Sequence, residues 1–202
     1  MIRRAQFLQK KLKTVFMLYR MPLIIVATCF AVYFNALFNG FVFDDIQLIK
    51  DNDAIKDIRY IPEIFSENLW GLLGKASNYY RPLAPLIYML TYHIFGLSPW
   101  AFHLVNILFH IGTCIVVYLI IDLLLREPSQ RKRNDFTSPA FIAALFFTTH
   151  PIHTEAVTWI AGIMDLSCGF FVLFAFYLFI STMERQFSKG LYILSLVSFS
   201  LP

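Results

Sequence analysis

MPLIIVATCFAVYFNALFNGFVF, residues 21–43, is an apolar stretch without a charged residue, and it decides the fold class of the chain. At a rise of about 1.5 Å per residue, a helix of this length crosses the roughly 30 Å hydrocarbon core of a bilayer. The stretch is longer than the apolar region of a signal peptide, and several basic residues precede it. We therefore predict a membrane anchor that the mature protein retains.

The composition of the 202 residues also indicates a membrane protein. Hydrophobic residues make up 58% of the chain and charged residues 15%, whereas a soluble domain carries about 25% charged residues. The net charge of +4 would suggest a nucleic-acid partner in a soluble protein. Here the basic residues flank apolar stretches, so orientation in the lipid bilayer explains them and we expect no nucleic-acid partner.

Further apolar stretches divide the rest of the chain into helices. A short helix is predicted over 82–95 and a full span over 100–121, separated by Gly96, Ser98 and Pro99. The later apolar residues predict spans over 139–160 and 164–183, and the beginning of another span over 191–202. The predicted fold class is an all-α integral membrane protein with about four complete spans and the start of a fifth. Residues 1–20 form a basic tail and 21–202 a membrane domain that we expect to be incomplete.

The distribution of Lys and Arg predicts the orientation of the helices. Basic residues concentrate in 1–20, 126–133 and 185–189, which the positive-inside rule assigns to the cytosol. The loop 39–97 then faces outward, and it carries seven acidic and five basic residues. Within this loop, residues 57–73 have apolar side chains at three- and four-residue steps, which predicts short helices on the outer membrane face.

Three charged residues of the outer loop are candidates for chemistry. Asp44 and Asp45 follow the first span directly, and Arg81 lies where the chain returns to the membrane. Adjacent carboxylates at a membrane surface repel each other and are partly desolvated, which can raise one pKa towards that of a general base. Arg81 could bind a phosphate with two N–H groups. The alternatives are a solvated loop start for the acids and an interfacial anchor for Arg81.

Polar residues near the third and fourth spans form a second candidate group. His150 and His153 could share a helix face, but no third metal ligand follows from the spacing, so we expect no metal. Glu155 and Asp165 are ionisable groups at the edge of the hydrocarbon and are therefore functional candidates.

The remaining polar residues within apolar stretches have simpler interpretations. We interpret the cysteines as separate buried thiols and predict no cofactor. Three histidines in apolar helices are expected to form interhelical hydrogen bonds: His93, His103 and His110.

Several motifs of the chain resemble one family of membrane glycosyltransferases. The motifs are FVFDD at 41–45, FSENLWG at 65–71, YRPL at 80–83, FHLVN at 102–106 with His110, and HPIHTEAV at 150–157. In order and spacing, from about residue 39 to 179, they are similar to the transmembrane and tetratricopeptide-repeat-containing O-mannosyltransferases and their bacterial relatives. The last string is the most specific of them.

The resemblance implies a C-type glycosyltransferase fold with juxtamembrane helices and an acidic catalytic pair in the first outer loop. It implies transfer of a mannose-like sugar from a polyprenyl-phosphate donor to a protein Ser/Thr or other acceptor hydroxyl on the extracytoplasmic side. Asp44 then becomes the first choice for the catalytic base and Asp45 the second. Residues that would bind donor phosphate or substrate are Arg81, His150, His153, Glu155 and Asp165.

The resemblance carries one departure and several further expectations. Relatives often have Arg at the position of Ile163, so Arg81 or a segment beyond the chain would have to bind the donor phosphate. Further spans and tetratricopeptide repeats are expected after Pro202. The membrane would be the plasma membrane in a bacterium and the endoplasmic reticulum in a eukaryote.

Two other functions fit a membrane chain of this kind. A non-catalytic anchor or assembly subunit would keep the fold and tolerate loss of the two aspartates. A transporter subunit would carry polar residues near mid-membrane and internal repeats. The acids cluster at the outer face and no repeat is evident, so the transporter is the weaker alternative.

Overall fold

The computed structural model describes residues 19–125, 136–184 and 188–201, and these residues contain helices and no strand. The all-α membrane class predicted from the sequence is therefore confirmed. The predicted basic tail up to residue 18 and most of the predicted cytosolic loop, residues 126–135, lie outside the described residues.

The described helices differ widely in length. Residues 19–33 form α1, which continues as a 3-10 turn over Phe34–Phe38. The other α-helices are α2 (Ile61–Ser66), α3 (Leu83–Phe95), α4 (Pro99–Leu125), α5 (Pro139–Thr149), α6 (Thr154–Thr158), α7 (Ile163–Glu184) and α8 (Lys189–Phe199). Within the described ranges, three segments are long and apolar enough to cross a membrane: Tyr19–Phe38, Pro99–Leu125 and Ile160–Met183.

The span predicted over 139–160 is not a single helix, because the chain leaves the helical conformation after α5. His150 is extended, with φ −68° and ψ 127°, and Pro151, which has no N–H to donate, opens a 3-10 turn over Pro151–His153. The short α6 and another 3-10 turn, Ile160–Gly162, then lead into α7. The apolar residues 139–183, for which hydropathy predicts two spans, thus contain one long helix, α7, preceded by α5 and an irregular segment.

The outer loop folds into short helical pieces, as its apolar spacing predicted. A π-helix (Ile46–Lys50), two 3-10 turns (Asp53–Lys56 and Ile58–Tyr60), α2 and a third 3-10 turn (Gly71–Leu73) precede α3. We call residues 44–81 the cap. Its buried residues Leu48, Ile49, Ile55, Ile64 and Leu69 pack with residues of α3, α4 and the start of α7. Burial stabilises each of these side chains by about 1.5–3 kcal/mol, so the cap is fixed on the bundle.

The long helices bring several termini to the end of the bundle under the cap. Cys29 and Tyr33 of α1 pack with Ile107 of α4, Val157 of α6 and Leu166 of α7. Farther from the cap, α1 and α4 pack against α5 through an apolar cluster that includes Met21, Ile25 and Phe141. Helix α4 also packs along α7, which in turn packs against α8. The end of α1, the start of α4 and the start of α7 therefore meet beneath the cap.

Candidate functional site

Asp45 joins the beginning of the cap to the segment that precedes α7. One carboxylate oxygen accepts a hydrogen bond of 2.9 Å from the Ala161 backbone N–H, and the other accepts one of 3.0 Å from Val42 N–H. Ala161 is 116 residues farther along the chain, and Asp45 is fully buried. The two contacts make Asp45 a structural link between the outer loop and the 3-10 turn that precedes α7.

The buried setting of Asp45 changes its proton affinity. Desolvation raises the pKa of the Asp45 carboxyl above its ordinary value, and the neighbouring Asp44 carboxylate raises it further. The backbone N–H groups of Val42 and Ala161 and the nearby Trp159 indole oppose this shift. Since both oxygens already accept hydrogen bonds inside the protein, Asp45 is poorly placed to receive a proton from a bound molecule.

Asp44 has the opposite surroundings, although it is the next residue. Its side chain is half-buried and makes no hydrogen bond or ion pair with the residues that the structure describes. The preceding residue, Phe43, has φ 48°, a backbone conformation that is strained for a bulky side chain. Strain of this kind persists where surrounding contacts enforce it, and the hydrogen bonds of Asp45 are such contacts. The strained turn therefore places the free Asp44 carboxylate next to the hydrogen-bonded Asp45 carboxylate.

Arg81, at the far end of the cap, reaches the first turn of α7. Its Nη1 lies 3.2 Å from an Asp165 carboxylate oxygen, and its guanidinium lies 5.8 Å from the centre of the Tyr79 ring. Side-chain exposures of 40% for Arg81 and 74% for Asp165 leave this ion pair open to other ligands. Asp165 follows Ala161 by four residues, about one helical turn. Both ends of the cap are thus attached to one short stretch of chain.

Three side chains of this region, which the sequence did not single out as site residues, have buried polar atoms. These atoms make no hydrogen bond of regular geometry with the described residues. They are the hydroxyl oxygen of Tyr88, the indole nitrogen of Trp159 and both ring nitrogens of His103. Burial raises the pKa of Tyr88, and the charges of Asp45 and Asp44 raise it further. Buried polar atoms without such bonds are uncommon and call for an explanation. The sequence signal that could have identified these residues is an aromatic side chain with a polar atom within an apolar stretch.

The other predicted site residues lie apart from these contacts. His150 accepts a hydrogen bond from Ile152 N–H, so its ring caps the 3-10 turn that follows α5. His153 packs against Phe147, with ring centroids 4.4 Å apart, and Glu155 is exposed. No hydrogen bond or ion pair joins these three side chains to the predicted site residues at the two ends of the cap, all of which the structure describes.

The interhelical hydrogen bonds expected of His93 and His110 are wrong, and Asn106 makes bonds to another segment instead. His93 contacts the Met89 carbonyl of its own helix, and His110 contacts Cys114, also on its own helix. Asn106 donates from Nδ2 to the carbonyl oxygens of Trp159, at 2.6 Å, and Ile160, at 3.3 Å. These carbonyls lie in the irregular segment before α7, where a membrane protein must satisfy its backbone internally.

The fold and these contacts define a class, namely an all-α integral membrane protein with acidic and basic side chains gathered where a helical cap closes one end of its bundle. Known proteins resemble the chain closely enough to identify its family. The protein O-mannosyl-transferase Tmtc3 of Drosophila melanogaster is 34% identical over 168 residues, which is 76% of this chain and 18% of that protein. Human protein O-mannosyl-transferases TMTC3 and TMTC2 are each 35% identical, over 76% and 71% of this chain respectively.

The chain belongs to the protein O-mannosyl-transferase family of these relatives, as its motifs indicated. It spans between 16% and 18% of the length of the three relatives named. No family model matches the chain. No solved structure is significantly similar to it.

Proposed function

We propose that the whole protein transfers a mannose-like sugar from a polyprenyl-phosphate donor to an acceptor hydroxyl, with protein Ser/Thr as the acceptor class. The transfer takes place on the extracytoplasmic side, in the plasma membrane of a bacterium or the endoplasmic reticulum of a eukaryote. The observation that carries the proposal is the difference in hydrogen bonding between Asp44 and Asp45. Asp45 is occupied by two backbone N–H groups, whereas Asp44 is left free beside it.

Asp44 acts as the base in this reaction. Its carboxylate accepts the proton of the acceptor hydroxyl while the hydroxyl oxygen forms a bond to the anomeric carbon of the sugar. The bond from that carbon to the phosphate oxygen breaks, and its electron pair leaves with the polyprenyl phosphate. Asp45 is a positioning residue, since its bond to Ala161 holds the strained turn that presents Asp44.

Arg81 stabilises the leaving phosphate. Only one of its nitrogens contacts Asp165, at 3.2 Å, so its other N–H groups remain available to phosphate oxygens. Ile163, at the position where the family resemblance leads us to expect Arg, is buried in the apolar core. Arg81 reaches α7 only two residues beyond Ile163, which supports it as the substitute cation. His150, His153 and Glu155 stay candidates for contacts with the rest of the donor.

The proposal is tested by measuring sugar transfer from a polyprenyl-phosphate donor with the full-length protein in membranes. Asp44→Asn keeps the shape of the side chain and removes the proton acceptor, so transfer should fall by about 100- to 10,000-fold. Arg81→Gln should also reduce transfer while Arg81→Lys retains part of it, because a single ammonium replaces a forked donor. Asp51→Asn is the matched control, as Asp51 is an exposed acid of the same cap.

The outcomes separate the proposed enzyme from the alternatives. Intact transfer in both Asp44→Asn and Asp45→Asn would show that the outer carboxylates are not the base. Complete absence of transfer by the wild-type protein, with normal assembly of a partner enzyme, would favour an anchor or assembly subunit. Substrate flux across the membrane without transfer would favour a transporter subunit.

A further inference from the structure

Two helices bring thiol and imidazole groups together in the middle of the bundle, and Cys29, His110 and Cys114 have no role in the proposed transfer. Cys29 lies on α1, and His110 and Cys114 lie one turn apart on α4. All three are buried, and their sulfur and nitrogen atoms lie within 4.8 Å of one another. Cys29 and Cys114 are buried free thiols, as expected, but they lie close together, whereas the expected burial of Cys168 is wrong because its side chain is exposed.

The depth of this cluster places it away from both membrane surfaces. Cys29 is ten residues beyond Tyr19 in the first candidate span, and Cys114 is eleven residues before the end of α4 at Leu125. Each residue thus lies about 15 Å along its helix from that end, close to the middle of a roughly 30 Å hydrocarbon core. Polar and ionisable side chains in the middle of a bilayer are costly, so the presence of this cluster indicates a function.

We propose that Cys29, His110 and Cys114 bind one zinc ion that joins α1 to α4. Thiolate and imidazole are the ligands that zinc prefers, with bond lengths of about 2.0–2.3 Å that separate neighbouring donor atoms by about 3.5 Å. The Cys114 sulfur and His110 Nε2 are already 3.7 Å apart. Small side-chain movements bring Cys29 to the same separation, since it lies within 4.8 Å of both.

Charge balance favours a divalent ion in these surroundings. Binding releases one proton from each thiol to solvent, and two thiolates with a neutral imidazole offset the two positive charges of zinc. A neutral complex carries no net charge into the apolar interior, where an unpaired charge is very costly. A monovalent copper ion would leave one net negative charge in the same place.

The rings around His110 enclose the cluster. Tyr33 meets the imidazole edge-on at a centroid distance of 5.2 Å, and Phe147 stacks on it at 6.0 Å. The His153 ring lies 5.1 Å from that of His110, so as a ligand it would fill the fourth position that zinc prefers and would not contact the sugar donor. Aromatic walls of this kind keep water out and fix the direction of the ligand ring.

Metal analysis of the purified full-length protein tests the proposal. Plasma mass spectrometry should find about one zinc per chain in the wild type and in Cys168→Ser, whose thiol is exposed on α7 outside the cluster. Cys29→Ser and Cys114→Ser should each lower the zinc content at least about tenfold, because too few donors remain. Equal zinc content in these variants and in the wild type would overturn the proposal, and copper in place of zinc would overturn the neutral complex.

A second measurement needs no change of the ligands. In the folded Cys168→Ser protein, a membrane-permeant maleimide should label Cys29 and Cys114 slowly, and a chelator should raise the labelling at least several-fold. Cobalt exchanged into the same protein should give the absorption band of thiolate-to-cobalt charge transfer. Labelling that ignores the chelator, or a disulfide between Cys29 and Cys114 seen as a mass change on reduction, would contradict zinc binding.

Discussion

Replacing Asp45 by Asn should weaken the attachment of the cap while leaving the outline of the side chain unchanged. The carboxylate offers one oxygen to Ala161 N–H and the other to Val42 N–H. An amide has a single acceptor oxygen, so one backbone N–H must face an NH2 group and lose its partner. Loss of a partner by a buried N–H costs about 1–3 kcal/mol, and we expect the free energy of unfolding to fall by that amount.

The pH dependence of the Asp45→Asn effect follows from the raised pKa of Asp45. The folded state binds the proton of the Asp45 carboxyl group more tightly than the unfolded chain does, because this Asp has the ordinary pKa of 3.8 in the unfolded chain. The contribution of Asp45 to the free energy of unfolding is therefore largest at acid pH and falls as the pH rises from 3.8 through the raised pKa. The amide of the variant cannot titrate, so the difference between wild type and variant should shrink over that range.

Unfolding of the full-length protein in detergent, followed across the acidic to neutral range, measures both effects. Asp51→Asn is the control for loss of an acid from the cap, and an exposed residue should change the free energy by less than about 0.5 kcal/mol. Asp44→Asn should resemble this control in stability while losing transfer activity. The reasoning is refuted if Asp45→Asn is as stable as Asp51→Asn, or if its difference from the wild type does not change with pH.

Three further predictions concern the bundle and its orientation. Gly162→Ala should lower the free energy of unfolding in detergent by about 1–3 kcal/mol, because the added Cβ would collide with the Ala156 carbonyl oxygen. An unchanged free energy of unfolding would mean that this backbone can move freely. Asn106→Leu should lower the free energy of unfolding by only about 1 kcal/mol in the same assay, because the Trp159 oxygen keeps its hydrogen bond from Gly162 N–H. A gain in stability would contradict the role of Asn106. Single cysteines placed at Asp53 and Gln130, in a background lacking the three native cysteines, should react with impermeant maleimides from opposite sides of the membrane. Reaction of both from the same side would refute the outward cap.

Local sequence signals predicted α3, the helix that follows the cap, well. The apolar run over 82–95, followed by Gly96, predicted a short helix, and α3 spans Leu83–Phe95. Gly96 ends it with φ 64°, a conformation that Gly adopts at little cost. Hydropathy alone gave the wrong result after residue 149, because the extended His150 and the 3-10 turn at Pro151 interrupt a run that is still apolar.

The candidate site depended on contacts that local patterns cannot reveal. Asp44 and Asp45 are equivalent in the sequence, and only the position of Ala161 distinguishes the free carboxylate from the held one. The four-residue spacing of His110 and Cys114 on one helix face was visible, but nothing local indicated that Cys29 lies opposite them. Distances between helices are set by tertiary packing, which a single sequence does not specify.

The bond between Asp45 and Ala161 also determines when the site can come into existence during biosynthesis. A ribosome adds about 5–20 residues per second, so roughly 6–23 s pass between synthesis of these two residues, which are 116 positions apart. Throughout that time the strained turn at Phe43 lacks the contact that holds it, and Arg81 lacks its partner on α7. The nascent chain therefore enters the membrane without an assembled site, and its acidic pair acquires the final geometry only after α7 has been inserted.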